Sequence, residues 1–169
     1  MTNNLPDKII FSKPAYIITA ILVSGICWYL SLGLSGDYWY LLWIAPIPVF
    51  VIALQVSGSK AFIVAFIAYL IGRFSLFFFL LKVAPLVPVI IFTVTVPLIF
   101  ALIMTITRKL VLQTTSWFSV FAFPALFTFF EFLVMRYSPD GTAGSIAYSQ
   151  SNVLPVIQLA SVTGIMGIT

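Results

Sequence analysis

The chain has 169 residues, of which 62% are hydrophobic, 17% aromatic and 7% charged, with a mean hydropathy of +1.19 and a formal net charge of +4. Soluble domains carry about 25% charged residues, so this chain cannot cover a water-facing surface, and a soluble fold is excluded. The basic residues are scattered beside apolar runs, as topology signals are, and do not point to nucleic acid.

The apolar runs are continuous and about 20 residues long, where a membrane β-barrel would show alternating segments of about ten. The expected fold class is therefore all-α, a polytopic transmembrane helix bundle of about six spans. Residues 1–14 form a short N-terminal segment with Asp7, Lys8 and Lys13. Span 1 covers 15–34. It is followed by no small-x-small cleavage site, which argues against a removable signal peptide. "LVSGIC" resembles a lipoprotein processing site, but the bulky Ile26 argues against processing, and Cys27 is expected to be a core thiol. Span 2 covers 38–56, with Pro46 and Pro48 inside it. Span 3 covers 61–81, span 4 covers 85–107 and span 5 covers 116–135. A loop at 136–152 carries Pro139, Asp140, Gly141 and Gly144. A sixth apolar run, 153–169, reaches the last residue, as the final span of a truncated chain would. Residues 15–169 thus make one transmembrane bundle.

Cytoplasmic ends hold Lys and Arg in excess. With the N-terminus inside, the inner segments carry Lys8, Lys13, Lys60, Arg108 and Lys109, and the outer ones carry Lys82 and Arg136. This distribution predicts a cytoplasmic N-terminus and an outside loop at 136–152. Trp28, Trp39, Trp43 and Trp117 lie near span ends, where indole rings favour the interface. Prolines within the spans predict bent helices whose freed carbonyls need partners.

The chemistry available is narrow. There is no histidine, which removes Ser-His-Asp and Cys-His catalysis and His-based metal sites. Cys27 is the only cysteine, so no internal disulfide forms. No catalytic, cofactor-binding or metal-binding residue is assigned, and no cofactor is expected. Two ionisable groups fall inside spans, Arg73 and Glu131, each costing about 2.5–3.5 kcal/mol at a helix centre. Three readings stand side by side: a structural ion pair or snorkelling, a polar cavity open to the outer face, and a proton relay. Both residues lie toward the same side of the membrane, and their side chains are expected to meet. Ala61, Ala65, Ala68 and Gly72 form a small-residue stripe on span 3, suited to close helix packing.

"LLWIAPIPVF" (41–50), "FPALFTFFEFL" (123–133), "AYSQ" (147–150) and "LPVIQLASVTGIMGIT" (154–169) together resemble the membrane region of the apolipoprotein N-acyltransferases. In that family a span with Pro-Ala and then Glu-Phe-Leu leads into an outer loop ending in Tyr-Ser-Gln. A Leu-Pro-x-x-Gln-x-Ala segment with two later glycines opens the next span. The matching residues are Pro124, Ala125, Glu131, Phe132, Leu133, Tyr148, Ser149, Gln150, Leu154, Pro155, Gln158, Ala160, Gly164 and Gly167. Where this chain has "GTAGSIA", the family usually has Pro-Trp and Gly.

The resemblance implies transfer of an acyl chain from phospholipid to the N-terminal diacylglyceryl-cysteine of lipoproteins, at the outer face of the bacterial inner membrane. It implies a ping-pong reaction through a thioester on a catalytic cysteine, completed by a glutamate and a lysine. All three belong to a nitrilase-like domain that follows the membrane spans, so none is carried over to this chain, which is expected to be inactive alone. A truncated gene, a split gene or an incomplete sequence would each end in this way. The implied partners are phospholipid and lipoprotein lipid chains, and a nitrilase-like domain in a C-terminal part or a separate chain. Glu131, Arg73, Tyr148 and Gln150 are the candidates for lining a cavity or guiding substrate. The alternative is a non-catalytic small multi-pass membrane protein, such as a transport subunit or the partner of a separate nitrilase-like domain.

Overall fold

The computed structural model describes residues 13–33, 35–114, 116–138, 141–142 and 144–168. Asp7, Lys8, Pro139 and Asp140 lie outside the described residues. Among those described there is no strand, and each apolar run carries helix. The elements are α1 (Pro14–Ser31), α2 (Leu41–Ile44), α3 (Pro46–Gln55), α4 (Gly58–Val83), α5 (Leu86–Gln113), α6 (Ala122–Tyr137) and α7 (Leu154–Thr163), with short 3₁₀ turns at Trp117–Phe121, Ile146–Gln150 and Ile165–Gly167. Helix is what such runs require, because a backbone in lipid must satisfy its own N–H and C=O groups.

Four helices are long and apolar enough to cross a membrane: Pro14–Ser31, Gly58–Val83, Leu86–Gln113 and Trp117–Tyr137. Two apolar helices are shorter, Leu41–Gln55 and Leu154–Thr163. At 1.5 Å per residue the first of these extends about 22 Å, short of a hydrocarbon core of about 30 Å. The second ends where Gly164 turns to φ 70°, a conformation open mainly to glycine. The chain then makes the turn Ile165–Gly167, which packs against α6.

α4 is the central element and packs along both α1 and α5. The small-residue stripe is its contact face, with Ala61, Ala65, Ala68 and Gly72 all buried. A Cβ added at Gly72 would stand 2.2 Å from Trp28 Cβ, so only glycine lets the two backbones approach this closely. Across that contact an aromatic group fills the centre of the bundle. The Trp28 and Tyr69 rings meet edge-on at 4.8 Å, and Tyr69 stacks on Phe100 at 4.4 Å. Trp28 is therefore a core residue and not an interface anchor, because α1 turns this ring toward Gly72. Trp43 and Trp117 are exposed.

Pro88 and Pro155 stand in the first turn of α5 and α7, where the missing N–H has no intrahelical partner in any case, while Pro46 and Pro124 stand where α2 gives way to α3 and where the turn Trp117–Phe121 gives way to α6. Pro97 alone is interior to a helix among the described residues.

Polar side chains fasten the elements. Ser24 Oγ donates to the Ala45 carbonyl, tying α1 to the α2–α3 junction. Arg108 near the end of α5 donates from Nε to Ala53 O (2.7 Å) and from Nη2 to Val56 O (2.7 Å). These carbonyls close α3, where a cation complements the negative end of the helix dipole.

Candidate functional site

The two buried charged groups, Arg73 and Glu131, lie toward the end of the bundle where α4 and α6 finish and α5 begins. Arg73 is on α4, one residue after the glycine that receives Trp28. Only 2% of it is exposed. Its guanidinium carbon lies 4.7 Å from the centre of the Phe92 ring on α5, a cation–π arrangement. Arg73 Nε and Nη2 have no hydrogen-bond partner among the described residues.

Glu131 is buried on α6. Its carboxylate accepts from Ser145 Oγ and from the Ile146 N–H. The expected direct contact with Arg73 is not made, and no ion pair joins the two among the described residues. The reason is local: the loop supplies Glu131 with two donors, and Arg73 lies over an aromatic face. The two charges still interact through space and line one small cavity with Tyr69, Phe92, Val96 and Met166.

Residues 144–152 cross this end of the bundle. They start over α5, where Gly144 (φ 84°) leaves room for the Phe92 ring. They pass Glu131 and end against the α1–α2 loop, where Asn152 Nδ2 donates to Ser35 O (2.9 Å). Gln150 is fully buried and donates from Nε2 to Trp39 O (3.1 Å). It fastens this crossing segment and does not line the cavity. Tyr148 points outward, half exposed, with its hydroxyl 2.8 Å from Thr142 Oγ1. Of the four candidates, the structure thus brings Arg73 and Glu131 together and sets Tyr148 and Gln150 to one side.

Ser145, Phe92 and Met166 belong to the site and carry no signal in the sequence. Ser145 follows a glycine, as a turn serine does, and nothing local says that its hydroxyl reaches back 14 residues. Among the described residues no group of three or more Cys, Asp, Glu or His side chains could hold a metal ion.

Taken together, the apolar surface, the four long helices and the buried polar end define an all-α transmembrane bundle, hence a membrane protein. Residues 24–169, most of the chain, match the family model of the apolipoprotein N-acyltransferase N-terminal domain, and the chain belongs to that family. No curated protein and no solved structure matches the chain.

Proposed function

We propose that this chain is the membrane part of an apolipoprotein N-acyltransferase system. It holds lipid substrates at the outer face of a bacterial inner membrane while an acyl chain moves from phospholipid to the N-terminal amine of a diacylglyceryl-cysteine. The observation that carries this reading is the family match over residues 24–169. The apolar exterior of α1, α4, α5 and α6 suits acyl chains as neighbours. The loop end, with its buried polar groups, suits the depth of headgroups. The thioester chemistry is assigned to no residue of this chain; a nitrilase-like domain supplies it. Cys27 lies in α1 and packs against the core, so it is not the nucleophile. The inner-membrane location, and the inside N-terminus favoured by the basic residues, are parts of the same proposal.

The test uses a bacterium depleted of its own N-acyltransferase, with this chain and a nitrilase-like domain of the family expressed separately and together. The readout is the mass of the N-terminal lipopeptide of an abundant lipoprotein. The expected result is a triacylated peptide only when both are present. A diacylated peptide in every case, or triacylation by the soluble domain alone, would overturn the reading.

A further inference from the structure

The cavity between Arg73 and Glu131 calls for a ligand, because a guanidinium 2% exposed holds two N–H groups without partners against it. Unsatisfied buried donors are costly, and charged ones more so. Size and charge decide what answers them. The cavity has about 20 Å³. One water occupies roughly 10–15 Å³, so the cavity has room for it. Charge points the same way, since Glu131 lines the same cavity and balances Arg73. An apolar cavity stays dry, but one with several polar partners takes water. Here Arg73 offers two donors. Glu131 has about four acceptor sites and uses two of them, on Ser145 and Ile146.

We infer that an ordered water joins Arg73 to Glu131 in this cavity, and that through it Arg73 is a positioning residue for the crossing segment. The chain of contacts runs from the α4 guanidinium to water, to the α6 carboxylate, and to Ser145 Oγ and the Ile146 N–H. Without the cation, the buried carboxylate is uncompensated and favours a move toward bulk water, which takes its two loop donors with it. The inference rests on this geometry and stands independently of the acyl-transfer reading.

Two measurements on the full chain in lipid bilayers test it. The first is water-edited solid-state NMR of the unaltered protein. Magnetisation from water should reach the Arg73 guanidinium much faster than it reaches Met104 or Phe100, which are fully buried in the apolar core. Build-up at Arg73 as slow as at Met104 would show a dry cavity and overturn the bridge. The second is amide hydrogen exchange. Arg73→Met should speed exchange at Ile146 by about tenfold, the scale of one net hydrogen bond, with the α1, α5 and α6 helix amides unchanged. Arg73→Lys, which keeps a charged donor, should restore part of the protection. An unchanged Ile146 rate in Arg73→Met, or a loss of protection spread equally over all helices, would overturn the positioning role.

Discussion

Glu131 is the most expensive residue in α6, and its surroundings show what offsets the cost. A serine hydroxyl and a backbone N–H stand on its carboxylate, and a guanidinium shares its cavity. Glu131→Ala removes the acceptor and leaves Ser145, Ile146 and Arg73 unpaired together. Removing one partner of a buried charged set costs about 3–5 kcal/mol. Glu131→Gln keeps a carbonyl acceptor for the loop and is expected to cost clearly less. Unfolding of both variants in nanodiscs checks the order; equal losses would show that the loop contacts contribute little. Much of this site was open to a reader of the sequence. Two charges inside apolar runs, on the same side of the membrane, marked Arg73 and Glu131. That the two do not touch was not to be had from the sequence, because the competitor for the carboxylate is Ser145. A hydroxyl in a glycine-rich turn carries no pattern that names its acceptor.

Among the elements, α1 and α4 are matched by shape. Gly72→Ala places a methyl group inside the van der Waals radius of Trp28 Cβ. Overpacking of this kind costs about 1–3 kcal/mol. Trp28→Ala empties the centre of the aromatic group and should cost about 3–5 kcal/mol. In the double variant the alanine at 28 keeps its Cβ, so the clash with the added methyl at 72 remains. The ring, however, no longer pins α1 in place. The helices can then slide apart, and the combined loss should fall below the sum of the singles, as for residues in contact. Additive losses in a thermal unfolding series would show that the two positions do not share one packing constraint. The stripe of Ala and Gly was legible as a contact face because its spacing of three and four is a property of the helix itself. The role of Trp28 was not. Nearness to a span end favours an interfacial indole, and only the partner helix, with a glycine opposite, reverses that preference.

For the molecule as a whole, the exposed surface is dominated by large apolar side chains, as a bundle facing lipid requires. Its orientation is open to direct test, because the chain has a single native cysteine, Cys27, which is half-buried in α1. Tyr137→Cys adds a thiol at the exposed end of α6. A membrane-impermeant maleimide applied to intact spheroplasts should label it, and a thiol placed at Lys60 should be labelled only after lysis. The reverse pattern would mean that the surplus of basic residues does not set the orientation.

The grip of Arg108 on Ala53 and Val56 has a consequence in time. Donor and acceptors are 55 and 52 residues apart in the chain. At about 5–20 residues per second, a ribosome needs roughly 3–11 s to travel between them. For that interval α3 waits with two terminal carbonyls lacking the donor that later closes them. The helix of α3 therefore reaches its finished state only after α5 has been made, and the order in which the membrane receives these segments is not the order in which it secures them.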